Sequence, residues 1–354
     1  VTTGVKDTAG NAMSSQYESS SPVTTRNLRE VTYGNSTFVA VGNSGTILTS
    51  SDGNSWDNKT SGTSKRLIGV TYANSTFVAV GGSGTILTSS DGTTWDNRTS
   101  GTTRILREVT YGNSTFVAVG NSGTIITSSD GTTWDNRTSG TSKNFKGLTY
   151  GNSTFVTVGQ SGYILTSSDG TTWDNRTSGT SNFLYGVTYG NSTFVAVGDS
   201  GNILTSSDGT SWDNKTSGTS NLLNGVTYGN STFVAVGDSG NILTSSDGIS
   251  WDNRTSGTSN DLNGVSYENS TFVAVGENGT IVTSSDGITW TSLFFGFTTD
   301  NISTAKLTVS NSSYTLDNGT TPTLTSGTTY YWKVVASDPK GGSAQSETWS
   351  FTVQ

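Results

Sequence analysis

The residues in this sequence best placed to do chemistry are carboxylates spaced 39 apart: Asp52, Asp91, Asp130, Asp169, Asp208, Asp247 and Asp286. Each is followed four residues on by a tryptophan: Trp56, Trp95, Trp134, Trp173, Trp212, Trp251 and Trp290. A tyrosine keeps the same step upstream, at Tyr33, Tyr72, Tyr111, Tyr150, Tyr189, Tyr228 and Tyr267. Carboxylates can bind metal ions or act as general acids and bases. An active site, however, needs groups that break the repeat, and these are present in every copy. The alternative is structural. An aspartate can accept backbone N–H groups inside its own turn, and a Ser or Thr hydroxyl can add another. The tryptophan can lie over the hairpin with its indole N–H near the rim.

Other routes to catalysis are narrow. The chain has no Cys and no His, which removes thiol chemistry and the commonest general base and metal ligand. Phosphate loops, dinucleotide fingerprints and metal-ligand spacings are absent from the sequence. Arg98, Arg137, Arg176 and Arg254 occupy one equivalent repeated position, completed by Lys59 and Lys215. The sequence therefore reads as non-catalytic, without cofactor or metal.

Composition narrows the class further. Only 12% of residues are charged and 30% apolar, with 45 Gly and 3 Pro, a bias toward turns without the charge of a disordered chain. The net charge is −8 and the basic residues are dispersed along the sequence, which argues against a nucleic-acid partner. No apolar run approaches a membrane span. The chain starts at Val1, which leaves open a removed leader or a trimmed longer protein.

Each repeat must then supply the elements that hold these residues. In the first, Leu28–Tyr33, Thr37–Val41, Thr46–Ser50 and the stretch from Ser55 read as strands, by alternation and β-branched content. Gly34-Asn35, Gly42–Gly45 and Asp52-Gly53 read as the turns between them. Four short antiparallel strands in ~40 residues make a propeller blade, and seven copies fall within the usual ~4–8. The expected fold is all-β: a seven-bladed β-propeller of 39-residue blades over 26–294.

The recurrent Ser-Ser-Asp-Gly-x-Ser/Thr-Trp run resembles the Asp-box (BNR) repeat of sialidase-like and photosystem-assembly-factor-like propellers. It is one residue shorter between Asp and Gly than the common sialidase form. Sialidase activity would need an arginine cluster, a Tyr–Glu pair and an acidic Asp on particular blades, and these are missing. The flanks carry two further resemblances. Val1–Met13, with its Asp7-Thr8-Ala9-Gly10-Asn11 turn, resembles the last hairpin of bacterial immunoglobulin-like surface domains. Leu324–Ala336 resembles the fibronectin type III pattern, with Tyr330 at the tyrosine-corner position and Trp349–Val353 as the last strand. These resemblances imply an Ig-like strand segment over 1–25 and a partial, small Ig/Fn3-like β-sandwich module over 295–354.

A lone hairpin is marginal in water and a partial sandwich leaves strand edges open. The N-terminal strands complete the sandwich within the chain, complete that of a neighbouring molecule, or the chain is a piece of a tandem-domain protein. Val1, Thr3, Val5, Tyr330, Trp332, Val334, Trp349 and Phe351 are the candidate assembly residues.

Variation between blades is confined. The lead-in to each first strand is Arg26, Lys65, Arg104 and Lys143, then Asn182, Asn221 and Asn260. Arg29, Arg66, Arg107 and Lys146 reinforce the first four, and the second turn ends the series with Asp199, Asp238 and Glu277. One face of the disc should be basic on one half and acidic on the other. Recent duplication explains part of this, since blades five and six share Val-Gly-Asp-Ser-Gly-Asn-Ile-Leu outright.

Two series of sequons complete the pattern. Asn35, Asn74, Asn113, Asn152, Asn191, Asn230 and Asn269 sit in Asn-Ser-Thr, and Asn58, Asn97, Asn136, Asn175, Asn214 and Asn253 in Asn-Lys/Arg-Thr. They are candidate glycosylation sites in a secreted chain, or turn and edge residues. The expected function is a secreted or cell-surface structural or adhesive protein, a self-assembling fibre subunit joined by β-strand donation. Its expected partners are itself (a homo-polymer) or neighbouring surface proteins, with glycans as a further candidate. The alternative is a lectin-like propeller holding sugars between blades with Trp and Asn side chains.

Overall fold

The computed structural model describes residues 23–292 and, beyond them, six short strands. The chain divides into two compact units, Pro22–Phe294 and a second of Val1–Ser21 with Phe295–Gln354.

The larger unit is a seven-bladed propeller. In its first blade β1 (Leu28–Gly34), β2 (Thr37–Gly42), β3 (Ile47–Ser50) and β4 (Asp57–Lys59) pair in sequence order, antiparallel throughout. Six more four-stranded sheets repeat this order, the last with Thr291–Ser292 as the described part of its fourth strand. First strands of successive blades lie against one another, and β1 lies against Leu262–Glu268 of blade seven. The ring is therefore closed. Every blade comes from one contiguous stretch, so closure relies on packing between blades one and seven, not on a shared sheet.

Local sequence explains that packing. In Thr37-Phe38-Val39-Ala40-Val41 the residues alternate between the two faces of the sheet. Phe38 and Ala40 join Val273 and Val275 of blade seven, while Val39 and Val41 join Leu67, Val70 and Phe77 of blade two. Both faces are buried, so the strand reads as continuously apolar. The same exchange occurs at all seven junctions, each sealed by one fully buried phenylalanine from this strand. Full burial of such a ring contributes about 1.5–3 kcal/mol.

Two turns differ from the expectation. The first hairpin loop is Asn35-Ser36, both with positive φ (45° and 57°), and Gly34 is a strand residue paired with Thr37. Gly34 is small for another reason: a Cβ there would lie 2.0 Å from the ring of Tyr72 on the next blade. Blades two and seven carry Ala73 and Glu268 at the same place. The rings they face, Tyr111 and Tyr33, tilt 58° and 55° against their phenylalanines, where the other five lie between 48° and 52°. The Asp52-Gly53 turn also departs from a two-residue hairpin. It runs on to Trp56, which leaves β4 only three residues.

In the second unit Ala305–Val309 pairs with Ser312–Leu316, Thr329–Trp332 with Trp349–Thr352, and Val335–Ser337 with Ser343–Gln345. Tyr330 stands opposite Phe351 and Trp332 opposite Trp349. Val1, Thr3, Val5 and Val334, and with them the expected N-terminal hairpin, lie outside the described residues.

Gly34→Ala should cost about 1–3 kcal/mol through overpacking against Tyr72, as a lower denaturation midpoint. An unchanged midpoint would show that the tyrosine moves aside freely.

Candidate functional site

The seven aspartates build turns. Asp52 Oδ1 accepts the N–H groups of Asn54 and Ser55, both at 2.8 Å, while Ser50 Oγ accepts from Gly53 at 2.8 Å. Trp56 donates its indole N–H to the Gly53 carbonyl at 2.9 Å. The other six copies repeat these contacts. The backbone amides hold each carboxyl below the ordinary aspartate range, in Asp130 and Asp208 with a threonine hydroxyl as the largest cause. Each indole N–H is engaged with a glycine carbonyl, so these tryptophans offer no free donor to a sugar. All thirteen sequon asparagines are exposed, seven in the first hairpin loops and six on the fourth strands.

What varies between blades converges on one face. In every blade the first amide of the turn after the second strand bonds the carbonyl just before the first strand, as Asn43 N–H to Asn27 O at 2.9 Å. That bond brings lead-in and turn together. A β-bulge then interrupts each first strand, between Leu28 and Glu30 in blade one. A bulge re-aims a side chain. The bulged positions are Arg29, Ile68, Arg107, Lys146, Tyr185, Asn224 and Asn263, on the first strands, which pack on one another around the centre of the ring and so line its channel.

There the side chains meet the turns. Arg29 Nε donates to Asn43 Oδ1 at 3.1 Å and Arg107 Nε to Asn121 Oδ1 at 3.0 Å. Asn224 donates to Asp238 Oδ1 at 3.1 Å, and the Lys146 ammonium stands 5.2 Å from the Tyr185 ring centre. Arg66 reaches the group from one residue before its strand, its stem beside Gly82. The expected split of charge is present: cations over blades one to four, with Asp199, Asp238, Asp261 and Glu277 over the rest.

Like charges are crowded within each half. Burial first, then Arg66, lowers the Arg29 guanidinium below its usual value, and the same causes act on Arg107. Burial, with Arg107 and Arg66 adding to it, brings Lys146 down to about 8. On the acidic side burial, then Asp261, raises Asp238, and burial with Asp199 raises the Tyr185 hydroxyl. Six propeller cations pair with an aspartate two residues earlier on the outer strands, such as Arg98 with Asp96 at 3.0 Å. The other eight are Arg26, Arg29, Lys65, Arg66, Arg104, Arg107, Lys143 and Lys146. Among the described residues none of these lies within 4.0 Å of a carboxylate. Residues dispersed in sequence thus share one surface.

Below this mouth lie two glutamates that sequence reasoning passed over. The position after the bulge is Gly69, Gly147, Gly186, Gly225 and Gly264 in five blades, but Glu30 and Glu108 in two. First strands approach closely here, and a Cβ on Gly264 would lie 2.9 Å from Glu30 Oε1. Each glutamate fills the space the neighbouring glycine leaves and accepts the N–H of the next residue, Val31 at 3.1 Å and Val109 at 2.9 Å. Burial pushes Glu30 up to about 8, and burial with the Glu30 charge pushes Glu108 well up too. The departure from glycine was the signal available in the sequence. Among the described residues no cluster of three or more potential metal ligands occurs, and no helix is long and apolar enough to cross a membrane.

The two sets of carboxylates act on stability in opposite directions. Folded Glu30 holds its proton above the unfolded value of 4.5, so folding takes up protons from there to about 8. The stability it contributes is complete below pH 4.5 and lost as pH rises to about 8. The aspartate turns lose stability only in acid. Glu30→Gln with Glu108→Gln should therefore flatten the decline in melting temperature between pH 5 and 8, measured by thermal denaturation at a pH series. An unaltered slope would place its origin elsewhere.

No known family and no curated protein matches the chain by sequence. Solved structures do match its fold. YCF48 bound to a D1 peptide aligns with TM-score 0.62 at 18% identity, over 75% of this chain and 93% of that one. YCF48 from Cyanidioschyzon merolae aligns with TM-score 0.60 at 16% identity, over 73% and 95%. The WD40 β-propeller domain of Doa1 aligns with TM-score 0.61 at 15% identity, over 74% and 93%. Closed sheet order and these likenesses together establish a seven-bladed β-propeller of four-stranded antiparallel blades.

Proposed function

We propose that this chain is a non-catalytic, Asp-box-type interaction propeller that holds a polypeptide segment of a protein partner at the channel mouth. The observation that carries this reading is the set of eight cations, four of them crowded around the mouth, without a carboxylate in contact. Gathering like charge in one place costs stability, and an anionic ligand offsets that cost. The aspartate turns have no comparable role, because one oxygen of each carboxylate is already engaged by backbone amides of its own turn and the arrangement is the same in every blade. Among the similar folds, YCF48 has been solved with a peptide bound. A setting outside the cell or on its surface suits a chain whose thirteen sequon asparagines are all exposed.

A second reading, a self-assembling fibre subunit joined by strand donation, is favoured by the second unit. Its described strands form three separate two-stranded pairs, each with edges able to take a further strand. On this reading residues 1–20 supply that strand to a neighbouring copy.

A short glutamate-rich synthetic peptide is the probe for the first reading. Arg107→Ala should weaken its binding about tenfold, a loss of about 1.4 kcal/mol. Because an anion nearby favours the charged amine, binding should also take up protons near pH 8 through Lys146, seen calorimetrically as a buffer-dependent heat. Undiminished binding by the variant would move the site off this face. For the second reading, light scattering should give polymers from the intact chain and monomers once residues 1–20 are deleted. A monomeric intact chain would refute assembly.

A further inference from the structure

The mouth carries two poles. Arg29, Arg66, Arg107 and Lys146 crowd one side of the channel, and Asp199 and Asp238 crowd the other. Lys146 feels Asp199 and Arg29 feels Glu277, yet no cation–carboxylate pair on this face closes to 4.0 Å among the described residues. Each pole is repelled within itself, and neither neutralises the other. A ligand relieves both only if it brings acid to one side and base to the other.

We propose that the segment held at the channel mouth is dipolar: an extended stretch of polypeptide with acidic residues at one end and basic residues at the other. This inference rests on the interaction function proposed above and adds to it the order of charges in the ligand. Its acidic end lies over blades one to four and its basic end over blades five to seven.

Three features select this occupant. The first is recess. Arg29, Arg107, Lys146, Asp199 and Asp238 are half-buried beside their own turns, where a narrow chain reaches them and a flat surface does not. The second is the state of the acids. Asp199 accepts from the Phe183 amide at 3.3 Å and Asp238 from the Asn224 side chain at 3.1 Å, both in part-buried bonds, so the two acids of this pole are tied back to the inner strands. A second copy laid face to face about the dividing diameter would set opposite charges together but would find those acids below the surface. The third is the acidic pole itself, which repels any long polyanion crossing the channel.

The test compares four synthetic peptides of equal length by fluorescence anisotropy at low salt: glutamate block followed by lysine block, the same residues alternating, all glutamate, and all lysine. The block peptide should bind at least about tenfold more tightly than the alternating one, since the two differ only in charge order. Arg107→Ala with Lys146→Ala should weaken it, and so should Asp199→Asn with Asp238→Asn, with melting temperatures confirming folded variants. Equal binding of the block and all-glutamate peptides, with no effect of the aspartate variants, would overturn the dipolar inference while leaving the interaction function standing. Failure of all four peptides would overturn both. Face-to-face dimers in sedimentation, abolished by the same substitutions, would replace the segment with a second copy and so overturn the inference.

Discussion

Burial of one strand on both of its faces is the constraint from which the rest of this structure follows. The second strand of each blade has no solvent side, because Phe38 and Ala40 face one neighbour and Val39 and Val41 the other. A sheet with two apolar faces is stable only when covered on both, and seven such sheets cover one another only by closing into a ring. The seventh blade satisfies the first through the same kind of cluster that joins all the others. Closure without a shared strand is thus a packing event, reinforced at the mouth by Asn27 with Glu277 at 3.1 Å and Asn263 with the Leu28 carbonyl at 2.8 Å.

Strand edges are the second cost of this design, and the protein treats its two edges differently. Outside, the fourth strand of each of the first six blades is three residues long and carries charge, which blunts further pairing. The ion pairs there are exposed and each contributes little, about 0–1 kcal/mol. Inside, the free backbone groups of the first strands face the channel, and side chains meet several of them. Asn224 donates to the Leu262 carbonyl, Asn263 to that of Leu28, and Glu30 and Glu108 accept from their own following residues. The residues that finish the inner edge are therefore among those that give the mouth its charge. Structure and candidate function share these positions.

Several features that read one way in the sequence had other physical causes. Gly34 looked like half of a turn but is a strand residue kept small by the tyrosine of the next blade. Asp52-Gly53 looked like a two-residue loop, whereas the carboxylate organises a longer turn that consumes the start of the fourth strand. Arg66 stood in for Arg29 and Arg107 in the sequence pattern, but Ile68 holds the bulged place in blade two, and Arg66 reaches the same cluster from outside the strand.

By itself the sequence determined the repeat, the blade count, the strand order within a blade and the division of charge between its halves. Those properties are local or periodic, and a period survives in a linear text. It could not show that Lys146, Arg107 and Arg29, on blades four, three and one, crowd together closely enough to lower the proton affinity of the Lys146 amine. Nor could it show that Glu30 and Glu108 share the waist of a channel with glycines from other blades. Both depend on how far a bulge turns a side chain and how closely neighbouring first strands approach. Only the closed ring decides those distances, because each is set by a blade at least 39 residues away in the chain.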